Sequence, residues 1–454
     1  MTDTNYGHHS VAVVGGGPAG LFAARELAQA GAQVALLNRD IKAGGLAEYG
    51  IYPNKLKMKD GLRKQFRQTL DIPNLDYFGN LNIGLDHEIS LTELQNLGFD
   101  AVVVTVGAQG TKWLGLPGED LKGVYHAKDL VYHYNNLPPY SERKFDIGKR
   151  VILVGVGNVM LDIAHWTVRD LKVNEVIAIA RRGPADVKFS KKEMEIVARN
   201  LDLADLEAEF ARTESAMRAV GQDVTAAKAF ILSALDHAQE PVSQTKFSFE
   251  FLVSPKRLLG DEQGRVRAVE VEDTTLVARG EGGSRDVGLG TTRELEADTV
   301  VFCIGDRVDE SLGLPLDKWG DFAKNPTPRF AVDGISYEAY NPELQQPVEG
   351  VFLAGWAREA SSGLVGAARK DGTNAAKAVL SYLDAAPPKN VNALTALNKK
   401  IAMIDKPVVR IADLKKLETV EAAHAAELNM PEYKYASNDE MLAAMGLSGI
   451  KEIS

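Results

Sequence analysis

Val11-Ala12-Val13-Val14-Gly15-Gly16-Gly17-Pro18-Ala19-Gly20 is the stretch whose pattern decides the fold. A short apolar strand runs straight into a glycine turn. Leu21, Ala24, Leu27 and Ala28 then recur at helical spacing, and Gly31 ends the helix. Val34-Ala35-Leu36-Leu37 reads as the next strand. Strand, glycine turn, helix and strand in this order form the βαβ unit that binds dinucleotides. Each glycine of the G-x-G-x-x-G pattern has its own task. Gly15 permits the tight turn, Gly17 lets backbone N–H groups approach a pyrophosphate, and Gly20 packs the helix on the strand. The helix N-terminus, with Pro18 and Ala19 in its first turn, then faces the phosphates. An acidic residue usually ends the second strand and binds the ribose hydroxyls. Asn38 holds that place, followed by Arg39 and Asp40, and it offers a hydrogen bond without charge.

The same unit recurs further along. Val151-Ile152-Leu153-Val154 leads into Gly155-Val156-Gly157-Asn158-Val159-Met160, and a helix is expected through Asp162, Ala164 and Trp166 to about Leu171. The strand Val176–Ala180 then ends at Arg181-Arg182-Gly183-Pro184. Methionine replaces the third glycine, which calls for a wider helix–strand contact. An acid after the second strand favours NAD, whereas arginine accommodates a 2′-phosphate, so Arg181 and Arg182 point to NADP.

Composition bounds what such a chain does. Hydrophobic residues make up 45% of the 454 and charged residues 25%, which supports a packed core and excludes wholesale disorder. Glycine supplies 41 residues, about 9% against a usual ~7%. The net charge of −10 argues against nonspecific nucleic-acid binding. The single cysteine, Cys303, forms no internal disulfide, no C-x-x-C pair and no four-thiolate cluster. Redox chemistry therefore requires a bound cofactor, and a reducing compartment fits. No signal-peptide pattern and no membrane span is read, so the expected location is cytoplasmic. The eight histidines show no metal-ligand spacing, and no metal is expected.

Further strands are expected at Ala101–Val106, Phe247–Val253, Val266–Glu272, Thr299–Ile304 and Val351–Ala354. Gly280-Glu281-Gly282-Gly283 marks a hairpin-type loop, 188–240 reads as charged and mostly helical, and Ala367–Leu383 reads as a helix before a polar helical tail. Lys55, Lys59, Arg63 and Arg67 recur every fourth residue, with Leu62, Phe66 and Leu70 on another side. This ridge is either an ordinary solvated helix face or a dock for an acidic partner.

Beyond the two glycine motifs, several stretches resemble ferredoxin–NADP+ reductases of the adrenodoxin reductase type, a family related to the glutamate synthase small subunits. They are Gly44-Gly45-Leu46-Ala47-Glu48-Tyr49-Gly50-Ile51, Leu114–Glu119, His126–Val131, Arg181-Arg182-Gly183-Pro184, Phe189-Ser190-x-x-Glu193, Gly355-Trp356 and Ser362-Gly363-Leu364-Val365. The resemblance implies an α/β, three-layer chain with two Rossmann-like dinucleotide-binding domains. A discontinuous FAD domain would span 1–107 and 330–454 with a C-terminal helical extension, and an NADP domain 108–329. It implies FAD at the first turn, near Asn38, Gly45, Leu46, Gly107, Gly355, Trp356, Gly363, Leu364 and Val365. It implies NADP(H) at Gly155, Gly157, Asn158, Val159, Arg181 and Arg182, with Glu193 beside the nicotinamide as a proton-handling or orienting group. The implied activity is hydride transfer between NADPH and FAD, followed by single-electron exchange with ferredoxin or flavodoxin docking near Lys55, Lys59, Arg63 and Arg67. The alternatives are an NAD(P)H-dependent flavoprotein with another acceptor and an electron-transfer flavin subunit of a larger complex. A histidine with a proton-relay role often precedes the first basic helix in this family, and Lys55 stands in its place here.

Overall fold

A computed structural model describes residues 6–280, 283–361, 363–389 and 391–447. The chain forms two compact units. The first comprises Met1–Thr111, Tyr132–Glu142 and Asp306–Ser454; the second comprises Lys112–Val131 and Arg143–Gly305. The sequence expectation put residues 306–329 with the second unit and did not separate the short excursion 132–142.

In chain order the first unit opens with β1 (Ser10–Val14), α1 (Pro18–Gln29), β2 (Gln33–Leu37), α2 (Leu46–Tyr49), α3 (Leu56–Leu70), β3 (Leu75–Phe78), α4 (Leu91–Asn96), β4 (Ala101–Val104) and β5 (Gly110–Thr111). The second unit carries β6 (Val124–His126), the start of α5 (Ala127–Tyr134), β7 (Arg150–Val154), α6 (Asn158–His165), β8 (Glu175–Ile179), α7 (Lys191–Met194), α8 (Leu203–Ala219) and α9 (Val224–Leu232). It continues through β9 (Lys246–Glu250), β10 (Val253–Gly260), β11 (Val266–Ala278), β12 (Ser284–Glu296) and β13 (Thr299–Phe302). The chain returns to the first unit as β14 (Asp306–Arg307), β15 (Glu338–Asn341), β16 (Gln346–Leu353), α10 (Val365–Ala385), α11 (Ala393–Ile401), α12 (Ile411–Glu427) and α13 (Asn438–Met445).

The first unit is built on a six-stranded sheet in the order β15-β16-β4-β1-β2-β3, parallel except for β15. Its central strands are apolar after their first residues, Ser10 in β1 and Gln33 in β2, because both faces are covered, as parallel sheets require. Val11 and Val13 enter one core, with residues of α1 and α10, while Ala12 and Val14 enter another on the opposite face. The result is the expected three-layer arrangement. The second unit has a five-stranded parallel sheet, β6-β13-β7-β8-β9, and a separate antiparallel sheet, β10-β11-β12. Ile152, Val154, Val300 and Phe302 share one core with Val269 and Val271 of β11.

Three local differences from the sequence expectations have physical causes. The strand expected at Phe247–Val253 breaks at Leu252, which adopts φ 50°, so that β9 and β10 belong to different sheets. The α6 helix does not run on regularly but passes into a π-helical turn, Trp166–Asp170. The strand from Val266 continues to Ala278, where it pairs with Ser284. Glu281 and Gly282 of the loop expected between these strands lie outside the described residues.

Candidate functional site

The first glycine turn is held from below and open above. Gly15 leaves β1 at φ 111°, and its N–H donates to the Leu37 carbonyl at 2.7 Å. A Cβ at Gly15 would lie 2.6 Å from the Thr105 carbonyl, and one at Gly20 would lie 1.9 Å from the Gly15 carbonyl oxygen. Only glycine lets α1 settle on its strand here. Gly17 differs, since nothing stands within 4 Å of the Cβ it lacks. Beside that open face α1 begins without a side-chain cap, with Pro18 at its first position. The amides of Ala19 and Gly20 are therefore left to an external acceptor, and a pyrophosphate suits this cradle in shape and charge.

Other elements close around the same turn. The Gly44 N–H donates to the Gly16 carbonyl at 2.7 Å, and a Cβ on Gly45 would reach within 3.0 Å of the Gly17 Cα. Leu46 then opens α2. Gly107, at φ 76°, follows the end of β4. Gly355, at φ 65°, would place a Cβ 2.7 Å from that of Ala19, so half-buried Trp356 follows directly on a contact with α1. Asp371 fixes this corner by accepting from the Gly355 N–H at 2.7 Å and from Arg358 Nη2 at 2.7 Å. A Cβ at Gly372 would meet the Ala19 carbonyl oxygen at 2.1 Å, so α10 crosses α1 with no side chain between them. Gly363 and Leu364 lead into Val365, where α10 also starts without a side-chain cap. Ser362 lies outside the described residues.

Asn38 is engaged beneath the turn. It is buried, its Oδ1 accepts from the Gly16 N–H at 2.9 Å, and its Nδ2 donates to the Asp40 and Lys42 carbonyls and to Tyr77 Oη at 2.9–3.1 Å. Both amide hydrogens are taken within the protein. The residue is a strut beneath the turn, a role its position alone did not disclose.

The second turn repeats the construction in its own unit. Gly155, at φ 117°, would bring a Cβ 2.6 Å from the Cys303 carbonyl oxygen, whereas Gly157 faces open space. α6 starts at Asn158 with no side-chain cap. Met160 is fully buried in the place of the third glycine, and Val159 is partly exposed. Asn158 Oδ1 accepts from the Ser190 N–H at 2.8 Å, and the Val156 carbonyl accepts from the Lys188 N–H at 2.9 Å. These two bonds tie α7, and with it half-buried Glu193, to the turn. Beyond β8, Arg181 Nε lies 3.6 Å from Asp286 Oδ1, and Arg182 Nη1 lies 3.3 Å from Asp186 Oδ1. Cys303 is buried beneath Gly155, and burial pushes its thiol well up, so it supplies no thiolate.

The basic ridge is not a free patch. Lys59 is buried, with its Nζ donating to Asn135 Oδ1 at 3.1 Å. Arg63 makes a two-pronged pair with Glu48, at 2.6 and 2.7 Å, and also binds Glu432. Arg67 pairs with Glu418 at 2.9 Å, and half-buried Lys55 stands at the N-cap of α3. Lys59 is therefore not available to a docking face, and Arg63 and Arg67 already face acids of the same unit. The spacing placed Lys59 among exposed residues, but the face of α3 that packs inward includes it along with Phe66 and Leu70. Sequence reasoning also missed the Asp371–Arg358 clamp and the closeness of Gly372 to α1. A glycine inside a helical pattern was the one available signal for the latter.

The family profile described as pyridine nucleotide-disulphide oxidoreductase matches residues 9–227. The NADPH-ferredoxin reductase FprA of Mycobacterium leprae is 29% identical over 410 residues, covering 83% of this chain and 84% of its own length. The mitochondrial NADPH:adrenodoxin oxidoreductase of Arabidopsis thaliana is 27% identical over 391 residues, 78% of each chain. The solved structure of FprA from Mycobacterium tuberculosis superposes with a TM-score of 0.79 at 26% identity, covering 96% of this chain and 99% of that one. Among the described residues no helix is long and apolar enough to cross a membrane. Two glycine turns of this construction, with sequence and fold alike along nearly the whole chain, make this protein similar to the NADPH-ferredoxin reductases and adrenodoxin oxidoreductases.

Proposed function

We propose that the chain is an NADPH-dependent ferredoxin reductase that carries FAD on the Gly15–Gly20 turn and takes NADPH on the Gly155–Met160 turn. The observation that carries this reading is the pair of open second glycines, Gly17 and Gly157, each beside an uncapped helix start, with Arg181 and Arg182 following only the second. When bound, FAD accepts a hydride from NADPH and releases electrons singly to a ferredoxin or flavodoxin. The chain's residues bind and orient. The first-turn amides of α1 take the flavin-side pyrophosphate, and those of α6 take the nicotinamide-side one. Gly355–Trp356 and the start of α10 at Gly363–Val365 border the flavin, with positive backbone ends turned toward it. Glu193, fixed through Ser190 and Asn158, stands at the nicotinamide side as the group that holds or orients a proton. Arg181 and Arg182 select the 2′-phosphate. With a lone, buried cysteine, the cytoplasm is the compartment proposed.

Anaerobic titration of the purified chain with NADPH, followed by ferredoxin-dependent cytochrome reduction, tests the assignment. The flavin should bleach with about one equivalent of NADPH and more readily than with NADH. A folded, colourless chain, or one that bleaches but never reduces ferredoxin, would refute it.

A further inference from the structure

The β11–β12 hairpin reaches the Arg181-Arg182-Gly183 loop at three places. The Thr274 hydroxyl donates to the Arg181 carbonyl at 2.8 Å. Leu276 is buried, with its Cδ1 3.6 Å from where a Gly183 Cβ would stand. Asp286 is the cross-strand partner of Leu276 and so shares its face, which sets its carboxylate against the Arg181 guanidinium at 3.6 Å. Arg181 keeps 66% of its side chain exposed and Asp286 25%, so the pair stands at a surface that a ligand can enter.

The neighbouring arginine is arranged differently. Its partner, Asp186, lies in the same loop and is only 15% exposed, with Gln222 Nε2 donating to it at 2.9 Å. That acid is fixed in place as a structural counter-ion. Asp286 comes from another element, and Arg181 is the one ion-pair partner recorded for it among the described residues.

We propose that Asp286 is a specificity-determining residue of the nucleotide site: its carboxylate occupies the Arg181 guanidinium that a 2′-phosphate would take, and it must yield when the phosphate arrives. The inference rests on the assignment of the 2′-phosphate to Arg181 and Arg182. A phosphate and a carboxylate on one guanidinium repel, so the share of the 2′-phosphate preference due to Arg181 is discounted. A nucleotide with a plain 2′-hydroxyl meets no such contest. The hairpin thus lowers the affinity for the phosphorylated nucleotide alone, which also eases its release.

The test uses the full chain and two probes, adenosine 2′,5′-bisphosphate and 5′-AMP, with binding followed by calorimetry at low salt. Asp286→Asn should bind the bisphosphate about three- to tenfold tighter, the range of an exposed ion pair plus a removed repulsion, and should leave AMP within about twofold. In an Arg181→Ala background the same change should give no further gain. Asp286→Ser provides a second variant in case the amide perturbs the hairpin, and circular dichroism checks both folds. Unchanged or weaker bisphosphate binding by both variants, or an equal gain for AMP, overturns the proposal. A wild type that binds bisphosphate no better than AMP instead removes the NADP assignment on which the proposal stands, so the two failures are distinct.

Discussion

Lys434 Nζ lies 2.8 Å from Glu48 Oε1 and 3.0 Å from the Glu48 carbonyl oxygen, which joins residues 386 positions apart. Both side chains are buried, at 6% and 4% exposure. Burial by itself raises the Glu48 carboxyl, but Lys434, Lys42 and Arg63 outweigh it and hold the group well below the usual carboxylate range. Lys434 also lies over the Tyr49 ring, 4.8 Å from its centre. The tail therefore fastens α2, and α2 follows directly on the Gly44–Gly45 loop that covers the first turn.

Removing this fastener should loosen the flavin site. Lys434→Met leaves Glu48 with Arg63 and Lys42, so the loss falls below that of a fully orphaned buried charge, at about 2–4 kcal/mol. Urea unfolding gives the stability and stopped-flow dilution gives the flavin release rate. Stability and release rate both equal to wild type would show that the tail is only an appendage.

Lys59 makes stability depend on pH with a definite sign. Its ammonium titrates at about 7 in the folded chain against 10.5 when exposed, chiefly because it is buried and next because Lys434 repels it. Between those values the unfolded chain holds the extra proton, so stability should rise as pH increases from about 7 toward 10.5 and level off on either side. The rise attributable to this residue is on the order of 5 kcal/mol, and Lys59→Met should flatten it. Denaturant midpoints for both proteins across that window decide the matter. The same burial means that Lys59→Glu should unfold the first unit rather than weaken a partner's docking.

Gly17 and Gly20 should fail in different ways. A side chain at Gly20 strikes the Gly15 carbonyl from within the fold, so Gly20→Ala should give little folded protein. Gly17→Val meets only open space and should give a folded chain with normal circular dichroism but little bound flavin. The ratio of visible to ultraviolet absorbance reports this directly. A fully yellow Gly17→Val protein would move the pyrophosphate elsewhere.

The two arginines should not be equivalent. Arg182→Ala removes the donor whose counter-ion is fixed and should weaken NADPH about tenfold to a hundredfold, the range of a hydrogen bond to a charged group. Arg181→Ala removes a donor already shared with Asp286 and should weaken it only about two- to fivefold. NADH should be nearly unaffected in both. Steady-state KM values for the two nucleotides measure the contrast, and equal losses at the two positions would contradict it.

How much of this was legible in the sequence depended on distance along the chain. Gly15–Gly20, Gly155–Asn158 and the strands around them are local patterns, and each element formed where apolar runs met turn glycines. The place of Arg181 and Arg182 just beyond β8 was legible, but the acid opposite Arg181 was not, because Asp286 comes from a hairpin whose pairing no spacing announces. The surroundings of Asn38 were hidden for a related reason. Its type and place suggested a ribose ligand, while Gly16, Asp40, Lys42 and Tyr77 together use up its amide. The basic residues of α3 misled because helical spacing says which residues share a face but not which face is buried. That was settled by Glu48 nearby and by Glu432 and Lys434 near the other end of the sequence.

The position of β16 has a consequence for synthesis on the ribosome. β4 is the apolar run Ala101–Val104, and its second neighbour in the sheet, β16, pairs with it through Val351–Leu353. About 250 residues must be translated between the two, roughly 12–50 s at ordinary rates. During that interval the second unit, complete at Gly305, has all its strands, while the nascent first unit presents an unpaired hydrophobic edge. Folding of the flavin-binding half therefore finishes last although it begins first, and the newborn chain is most exposed to aggregation and most in need of a chaperone before residue 353 emerges.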